Sequence, residues 1–207
     1  MSPSVGPSAS VAFDCDEETT GCAGPLTAGE HRTAQFERPF TFTVPKGWTN
    51  GRDIYRSYVL RADVAPTAEF IVWTRSAPAM QTPDCTAARR PGFGTSVSEW
   101  LRSLKSDERL NVKVQESFQL GSHTATRVEA MPKPGFGSLC EGNTDPVVTL
   151  VTDTEIPPTR KHVAGGSLTL VDFGDDAVVI WNDGGDVSLQ YMLELSLPII
   201  HTIRFAT

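Results

Sequence analysis

The sequence lacks the features that most directly reveal an activity. Its 207 residues contain no Gly-rich cofactor loop, no G-x-S-x-G nucleophile motif and no closely spaced cysteine or histidine ligand pairs. No apolar run approaches the ~18 to 20 residues of a membrane-spanning helix. The sequence therefore predicts no cofactor, no metal site and no catalytic residue.

Basic residues are also scarce. Eighteen lysines and arginines against 25 aspartates and glutamates give a formal net charge of −7, and the basic residues are spread thinly along the chain. A nucleic-acid-binding domain needs a concentrated positive surface. The composition therefore argues against a nucleic-acid partner. The N-terminus lacks the basic and apolar regions of a signal peptide, so we expect any export signal to lie upstream of residue 1.

Cysteine occurs at four positions, Cys15, Cys22, Cys85 and Cys140. Their spacing does not fit a zinc site, whereas an even number of cysteines in turn-rich sequence fits a disulfide framework. Four cysteines allow three pairings; the simplest joins Cys15 to Cys22 and Cys85 to Cys140, and free thiols are the alternative. Because disulfides persist in oxidising compartments, the pattern predicts an extracytoplasmic protein, either secreted or anchored in the cell envelope.

The first ten residues are mostly serine, proline, glycine and alanine, which cannot bury enough apolar surface to fold. We expect residues 1–34 to be a flexible N-terminal linker carrying Cys15 and Cys22, and residues 35–207 to be a single domain. Such a linker suits a tether to a lipid-modified cysteine or a membrane helix upstream of this chain. The alternative is the frayed end of a freely secreted protein.

The proposed domain is dominated by strand patterns. Residues 36–44 alternate between apolar and polar positions, as in a strand with one buried face. A hairpin is predicted late in the chain around Gly174, and residues 76–95 are predicted to be an irregular loop. The other predicted strands are residues 55–61, 69–75, 112–120, 124–131, 147–151 and a terminal edge strand at 202–205.

Two helices are predicted between these strands. Ser96 and Glu99 form a capping box for the first helix, whose apolar stripe contains Trp100. Asp186 is the predicted N-cap of the second helix, which Pro198 should bend or end. The stripe of that helix is Leu189, Leu193, Leu197 and Ile200. The pattern predicts an α+β fold, an antiparallel sheet of about eight or nine strands covered by two helices.

Several of these segments carry a resemblance to a known group. They are F-T-F-T-V-P-K-G-W at residues 40–48, Trp100-Leu101, the hairpin at residues 168–180 and the closing I-R-F. Over residues 36–205 the chain resembles small extracytoplasmic lipoproteins of actinobacterial and related bacteria, with a PsbP-like architecture. The resemblance implies an antiparallel sheet between helices and a binding or scaffolding role in the cell envelope. It implies no catalytic residues.

Some fragments imitate functional motifs. Asp172-Phe173-Gly174 spells the metal-binding tripeptide of protein kinases, but no other kinase motif accompanies it, so we interpret it as a hairpin turn. Residues 182–186 place carboxylates and an amide around two glycines, as calcium loops do. A turn followed by a helix N-cap explains the same residues. The four histidines, His31, His123, His162 and His201, are scattered.

Two phenylalanines stand in similar glycine-flanked segments near cysteines. Phe93 lies in P-G-F-G after Cys85, and Phe136 lies in P-G-F-G-S before Cys140. A Cys85–Cys140 disulfide would bring both rings together as an exposed apolar patch that a ligand or partner could occupy. The alternative is that both rings pack inward at the edge of the core.

Two functions from different classes agree with this sequence. In the first, the chain is a non-catalytic extracytoplasmic domain, lipoprotein or membrane-tethered, that binds a partner protein or a small cell-envelope ligand. In the second, it is a secreted hydrolase with an unrecognised carboxylate or histidine site. The sequence favours the first function. Convergence of titratable groups in one cleft would favour the second.

Overall fold

The structure is a computed structural model that describes residues 15–16, 21–81, 87–134, 151–153, 166–183 and 187–206. At Cys15 and Cys22 it describes the backbone. Five residues singled out from the sequence lie outside the described residues: Cys85, Phe136, Cys140, His162 and Asp186. The disulfide and patch predictions that depend on Cys85, Phe136 and Cys140 therefore stay predictions.

The described residues form sixteen strands and two helices. The strands of the first half are β1 (Cys15–Asp16), β2 (Gly21–Cys22), β3 (Gly24–Leu26), β4 (Gly29–Arg32), β5 (Phe40–Val44), β6 (Trp48–Ile54), β7 (Ser57–Ala62), β8 (Ala65–Trp73), β9 (Ser76–Gln81) and β10 (Ala87–Arg89). Helix α1 (Val97–Lys105) follows them. The remaining elements are β11 (Leu110–Leu120), β12 (His123–Pro132), β13 (Val151–Asp153), β14 (Gly166–Asp172), β15 (Ala177–Asp183), helix α2 (Leu189–Ile200) and β16 (Arg204–Phe205).

One large sheet organises the fold. Its strand order within the described residues is β1-β2-β6-β7-β8-β15-β14-β12-β11, with β3 also paired to β6. All neighbours from β6 to β11 are antiparallel, whereas β2 runs parallel to β6. Two smaller sheets have the orders β10-β9-β13 and β16-β5-β4. The predicted α+β class with two helices is confirmed, but short strands and the two small sheets raise the strand number above eight or nine.

The two faces of the large sheet carry separate apolar cores, because successive side chains of a strand point to opposite faces. One core includes Phe40 and Phe42 from the small sheet β16-β5-β4 and Met192 from α2. The other core includes Trp100 and Leu104 from α1. The large sheet therefore lies between the two helices, as the sequence resemblance implied.

Helix α1 begins as the sequence predicts. The backbone N–H of Glu99 donates to Ser96 Oγ at 3.4 Å, which confirms Ser96 as the N-cap. The second half of the capping box is not formed, because the Glu99 carboxylate accepts a hydrogen bond from the Gly94 N–H and contacts Arg102. The helix is therefore joined to the loop that precedes it.

Helix α2 differs in detail from the prediction. Ser188 is its N-cap, since the Tyr191 N–H donates to Ser188 Oγ at 3.2 Å. Pro198 lies inside the helix, which ends two residues later at Ile200. The buried face is also rotated relative to the predicted stripe. Its buried residues are Met192, Leu193, Ser196, Ile199 and Ile200.

Two other segments were predicted wrongly. Residues 76–95 are not one irregular loop, because β9 and β10 lie within them and pair with each other. The residues from 21 to 34 are not a flexible linker, since β3 pairs with β6 and β4 pairs with β5. Leu26 and Thr33 are buried there. Backbone pairing with distant strands forms these elements, and neither segment has a strong alternating pattern of its own.

The interpretation of residues 172–174 as a hairpin turn is confirmed. The Phe173 N–H donates to the Asp176 carbonyl at 3.0 Å, and the Gly174 N–H donates to Asp172 Oδ1 at 2.8 Å. Gly174 has a φ of +83°, a backbone conformation that glycine adopts without strain. The turn joins β14 to β15 directly.

Candidate functional site

The small sheet β16-β5-β4 places two arginines on either side of a threonine. In the middle strand, Thr41 lies opposite Arg32 of β4 and opposite Arg204 of β16. Directly opposite residues share one face of a sheet, and adjacent strands are ~4.8 Å apart, so the two arginine Cα atoms are about 10 Å apart. We call Arg32, Thr41 and Arg204 the arginine row.

The arginine row faces solvent. The residues that flank it along the strands, Phe40, Phe42 and Phe205, are buried on the opposite face of the small sheet. Arg32 and Arg204 are exposed, and Thr41 is half-buried between them. The alternation along β5 therefore separates a phenylalanine core from a polar outer surface.

A cleft of about 360 Å³ follows this row. Besides the three residues of the row, its lining consists of Pro39, Phe40, Phe205 and Ala206. The Ala206 N–H donates to the Pro39 carbonyl at 2.8 Å, which extends the pairing of β16 with β5. The cleft thus combines two cationic side chains with a hydroxyl over a backbone surface that the sheet holds rigid.

Arg204 is held in position by backbone carbonyls. Its Nη1 donates to the carbonyl of His201 at 2.9 Å and to that of Ile203 at 2.7 Å. Gly121, in the turn between β11 and β12, packs against it, and a Cβ atom built there would lie 3.5 Å from Arg204 Cδ. These contacts use one nitrogen of the guanidinium, so Nε and Nη2 remain for a ligand.

Arg32 and Arg204 differ in their surroundings from seven other described arginines. Within the described part of the chain, neither arginine forms an ion pair with a carboxylate. Seven arginines do form such pairs: Arg38, Arg61, Arg75, Arg90, Arg102, Arg109 and Arg127. Glu30 is the nearest acidic residue along β4, two positions before Arg32 and opposite Thr43. The row is therefore a local positive site on an acidic protein.

An aromatic cluster supports one side of the cleft. The Phe173 ring stacks on His123 with ring centroids 3.9 Å apart. It lies perpendicular to the Phe205 ring, with centroids 5.2 Å apart. The Arg38 guanidinium lies 4.2 Å from the Phe173 centroid and pairs with Asp176 at 3.1 Å. The cluster joins the β14–β15 turn to β16 and to the segment before β5.

Each of the three described histidines packs on an aromatic ring. His31 lies against Phe42, His123 against Phe173 and His201 against Phe118. His123 Nδ1 donates to the Asp172 carbonyl at 3.0 Å, and His31 Nε2 donates to the Thr27 carbonyl at 2.7 Å. These contacts give the histidines structural roles. His162 lies outside the described residues.

Phe93 lies against two arginine side chains. It is half-buried, with the guanidinium carbons of Arg90 and Arg102 at 5.4 and 4.7 Å from its ring centroid. Its carbonyl accepts a hydrogen bond from Arg89 Nη2 at 3.1 Å. The ring therefore joins its loop to α1. Because Phe136 lies outside the described residues, a shared patch with Phe93 stays a prediction.

Asp53 is a buried carboxylate with a structural role. Its oxygens accept hydrogen bonds from the backbone N–H groups of Ala34, Gln35 and Phe36, at 2.5, 3.3 and 3.1 Å. Burial raises the pKa of Asp53, and the three N–H groups offset part of that rise. Asp53 therefore fixes the chain segment that leads from β4 into β5.

Two further carboxylates, Glu37 and Asp107, each accept several hydrogen bonds, including those from arginines. Glu37 accepts hydrogen bonds from Arg75, Thr74 and Tyr55, and Asp107 accepts them from Arg109 and Arg90. Burial opposes ionisation of both, but these partners outweigh it and lower the pKa of each carboxyl. Each group is fully ionised at neutral pH and engaged in holding loops together, so neither has the pKa of a general acid or base.

Buried polar groups lie beneath α2. Ser167 of β14 and Asn182 of β15 lie directly opposite each other, and Thr169 follows on the same face. All three are fully buried, and among the described residues the hydroxyls and the Asn182 amide have no hydrogen-bond partner. Asn182 belongs to the segment that resembled a calcium loop. Among the described residues, no group of three or more His, Cys, Asp or Glu side chains could hold a metal ion.

Comparison with known proteins gives distant structural similarity. No family model matches the sequence, and no curated protein matches it. A crystal structure from Bacteroides thetaiotaomicron is similar with a TM-score of 0.43 and 11% identity, over 88% of this chain and 50% of that one. This chain thus spans half the length of the Bacteroides protein.

A second similar structure is the solution structure of cyanobacterial PsbP (CyanoP) from Synechocystis. It has a TM-score of 0.40 and 14% identity, over 91% of this chain and 99% of that one. PsbP is also the name used above for the architecture that the sequence resemblance implied. Similarities of this size assign neither a family nor a function. Among the described residues, no helix has the length and apolarity to cross a membrane.

Sequence reasoning did not find the arginine row, although part of the signal is visible. The F-T-F-T-V alternation places Thr41 on the polar face, and Arg204 stands between the buried residues Ile203 and Phe205. Arg32 lies in the segment that was expected to be a linker. The missing information is the pairing of β4 and β16 with the two edges of β5, which joins residues from opposite ends of the chain.

Proposed function

We propose that this chain is a non-catalytic extracytoplasmic binding domain that captures a small anionic ligand in the cleft along the arginine row. The observation that carries the proposal is the cross-strand placement of Arg32 and Arg204 on either side of Thr41. Guanidinium groups bind carboxylate and phosphoryl oxygens through paired, charge-assisted hydrogen bonds. A ligand anion would supply the partner that carboxylates supply to the arginines elsewhere in the fold.

The size of the cleft favours a small ligand over a partner protein. Its volume of about 360 Å³ lies at the lower end of the ~300–1,000 Å³ typical of small-molecule sites. Arg204 is already fixed by two carbonyls, so binding costs little additional side-chain entropy. Preorganised charge of this kind suits a ligand with few atoms and one strongly charged group.

The extracytoplasmic location is supported by the cysteines. Cys15 and Cys22 lie opposite each other in the antiparallel pair β1–β2, a placement that suits a cross-strand disulfide. Disulfides are typical of oxidising compartments, which makes a component of the cell envelope the natural source of the ligand. An upstream anchor of the lipoprotein or membrane-helix type would hold the domain at that envelope.

Isothermal titration calorimetry tests the proposal. We expect the protein to bind at least one member of an anion panel, glycerol 3-phosphate, glycerate and sulfate, and not to bind glycerol. Arg32→Gln and Arg204→Gln should each weaken anion binding by about tenfold or more, since each removes a charge-assisted contact. Arg52→Gln, at another exposed arginine, is the matched control and should leave binding unchanged.

Two outcomes would overturn the proposed function. One is the absence of binding for every anion of the panel. The other is anion binding that the Arg32→Gln/Arg204→Gln double variant retains at full strength. Thermal unfolding of each variant shows whether the fold is intact, and both target side chains are exposed, so we expect the variants to fold.

A further inference from the structure

We infer that the arginine row selects a phosphate monoester, in its dianionic form, over a carboxylate. This inference rests on the proposed function, because it names the ligand class of the same cleft. Its basis is the number, charge and arrangement of the donors that β4, β5 and β16 contribute to one face of the small sheet.

Charge is the first argument. Arg32 and Arg204 together carry two positive charges, and no carboxylate in the described part of the chain pairs with either. A phosphate monoester carries a charge of about −1.5 to −2 at neutral pH, whereas a carboxylate carries only one negative charge. The dianion therefore neutralises the row, and a carboxylate leaves one guanidinium without a counter-charge.

Geometry is the second argument. The donors lie on three adjacent strands and line one cleft: Arg32 belongs to β4, Arg204 to β16, and the Thr41 hydroxyl to β5 between them. A terminal phosphoryl group presents three oxygens in a tetrahedral arrangement, one toward each donor. A carboxylate presents only two oxygens, in one plane, and a single bidentate arginine uses one lone pair of each. The other two donors would then have to share those oxygens, whereas a phosphoryl group offers each donor an oxygen of its own.

Glu30 places a negative charge beside the arginine row, and its removal gives a further test of anion binding. It lies on the same face of β4 as Arg32, two residues away, and its side chain is exposed. Its negative charge weakens the attraction of the row for any anion. Removing that charge should therefore strengthen binding, which is the opposite of the effect expected at Arg32 and Arg204.

The test compares two probes that share a three-carbon skeleton, glycerol 3-phosphate and glycerate, by titration calorimetry at pH 7.5. We expect glycerol 3-phosphate to bind at least tenfold more tightly than glycerate. Thr41→Val should weaken glycerol 3-phosphate by several-fold and change glycerate less, because the hydroxyl serves the third oxygen. Glu30→Gln should tighten both probes, and Arg52→Gln should change neither.

The pH dependence gives a second readout. The second pKa of a phosphate monoester is about 6, so its affinity should fall roughly tenfold between pH 7.5 and pH 5 as the dianion takes up a proton. Sulfate keeps its charge over this range and reports any titration of the protein itself. The fall for glycerol 3-phosphate should therefore exceed any change for sulfate.

A phosphate monoester can be a soluble metabolite or a lipid headgroup, and vesicles distinguish the two. Phosphatidylcholine vesicles that contain phosphatidic acid present the monoester on a membrane, and vesicles with phosphatidylglycerol present a diester of lower charge. Co-sedimentation with phosphatidic acid, lost in the Arg32→Gln/Arg204→Gln variant, would assign the lipid source. Binding of soluble glycerol 3-phosphate without vesicle binding would assign the soluble source.

The inference and the proposed function fail in different ways. If glycerate binds as tightly as glycerol 3-phosphate and both are lost in the double arginine variant, the phosphoryl selectivity is wrong and the anion site stands. Equal pH dependence for glycerol 3-phosphate and sulfate would also overturn the selectivity. If no anion binds, both proposals are wrong.

Discussion

At the scale of single residues, Asp107 joins three parts of the chain at the end of α1. Its carboxylate accepts hydrogen bonds from Arg109 Nε and Nη2 at 2.9 and 2.7 Å, and from Arg90 Nη1 at 3.3 Å. Arg90 also donates to the carbonyl of Ser103 at 2.9 Å. The side chain of Asp107 is 5% exposed, so loss of its charge would leave Arg90 and Arg109 without a counter-charge in a largely buried position.

Asp107→Asn should lower the free energy of unfolding by about 2–3 kcal/mol at pH 7. Burial opposes the charge, but the arginine contacts outweigh it and hold the pKa of Asp107 below its unfolded value. This stability is therefore present above the unfolded pKa of about 4 and is lost as pH falls through the lower folded pKa. Urea unfolding at pH 7 and at pH 3 measures the difference.

The exposed neighbour Glu108 provides the control, since Glu108→Gln should have a small effect at both pH values. A destabilisation of Asp107→Asn that is the same at pH 7 and pH 3 would contradict this account. It would show that packing of the carboxyl group, and not its charge, holds the three segments together.

Thr169→Val should stabilise the fold by about 1 kcal/mol. Valine has nearly the same shape as threonine, and the substitution removes a fully buried hydroxyl that has no hydrogen-bond partner in the described part of the chain. Thr33→Val is the matched control, because the buried Thr33 Oγ1 accepts a hydrogen bond from the Phe40 N–H at 3.1 Å. That change should destabilise by a similar amount. Thermal unfolding of the two variants should therefore give shifts of opposite sign.

At the scale of elements, Phe93 connects the segment before α1 to the helix. Its ring contacts Arg90 and Arg102, and Arg102 Nη2 donates to the Gly92 carbonyl at 2.9 Å. Phe93→Ala should weaken this link by about 1–2 kcal/mol, because it removes two cation–π contacts. Amide hydrogen exchange should then increase in residues 89–95 and stay unchanged in β14 and β15.

Phe93→Trp is the corresponding conservative variant. Tryptophan forms the strongest cation–π contacts, so exchange in residues 89–95 should stay at the level of the natural protein. Equal exchange rates in the alanine and tryptophan variants would show that the backbone hydrogen bonds of the segment, and not the ring, set its stability.

The elements that the sequence predicts well are those with local signals. β5 has a clear alternation, α1 has an N-cap serine, and the β14–β15 hairpin has a glycine at positive φ. β9 has small residues and Pro78 in place of β-branched ones, and it forms because β10 and β13 pair with its two edges. The start of α2 was misplaced because Asp186 and Ser188 are equally good N-cap types.

The candidate site shows more clearly that a local sequence pattern does not predict the pairing of distant strands. Local pattern identifies Thr41 as a polar-face residue and Arg204 as exposed between two apolar residues. Proximity of Arg32 to Arg204 depends on two strand pairings that no periodicity encodes. Phe93, which does stand in a conspicuous motif, packs against Arg90 and Arg102.

At the scale of the whole molecule, the oxidation state of the cysteines tests the proposed extracytoplasmic location. We expect the protein, isolated without reductant, to contain a disulfide between Cys15 and Cys22, which lie opposite each other in β1–β2. Such a bond closes a short loop and should contribute roughly 2.5 kcal/mol on the chain-entropy model. Mass spectrometry of a proteolytic digest, before and after reduction, measures the linkage directly.

The same digest tests the pair Cys85 and Cys140. A linkage between them would support the stapled loop pair that places Phe93 near Phe136. Four free thiols in protein isolated from its native compartment would contradict the extracytoplasmic assignment, because that assignment depends on an oxidising environment. Mixed pairings would preserve the compartment and change the connectivity.

The small sheet combines residues that are far apart in the sequence: β4 is formed by residues 29–32, and β16 by residues 204–205. A ribosome that has not yet translated residue 204 therefore withholds one of the two guanidinium groups of the arginine row. Under the proposed function, ligand capture can begin only after residues 204–205 have been synthesised and have paired with β5. Under the same proposal, a proteolytic product cleaved before Arg204 would keep Arg32 and Thr41 but bind the anion at least tenfold more weakly.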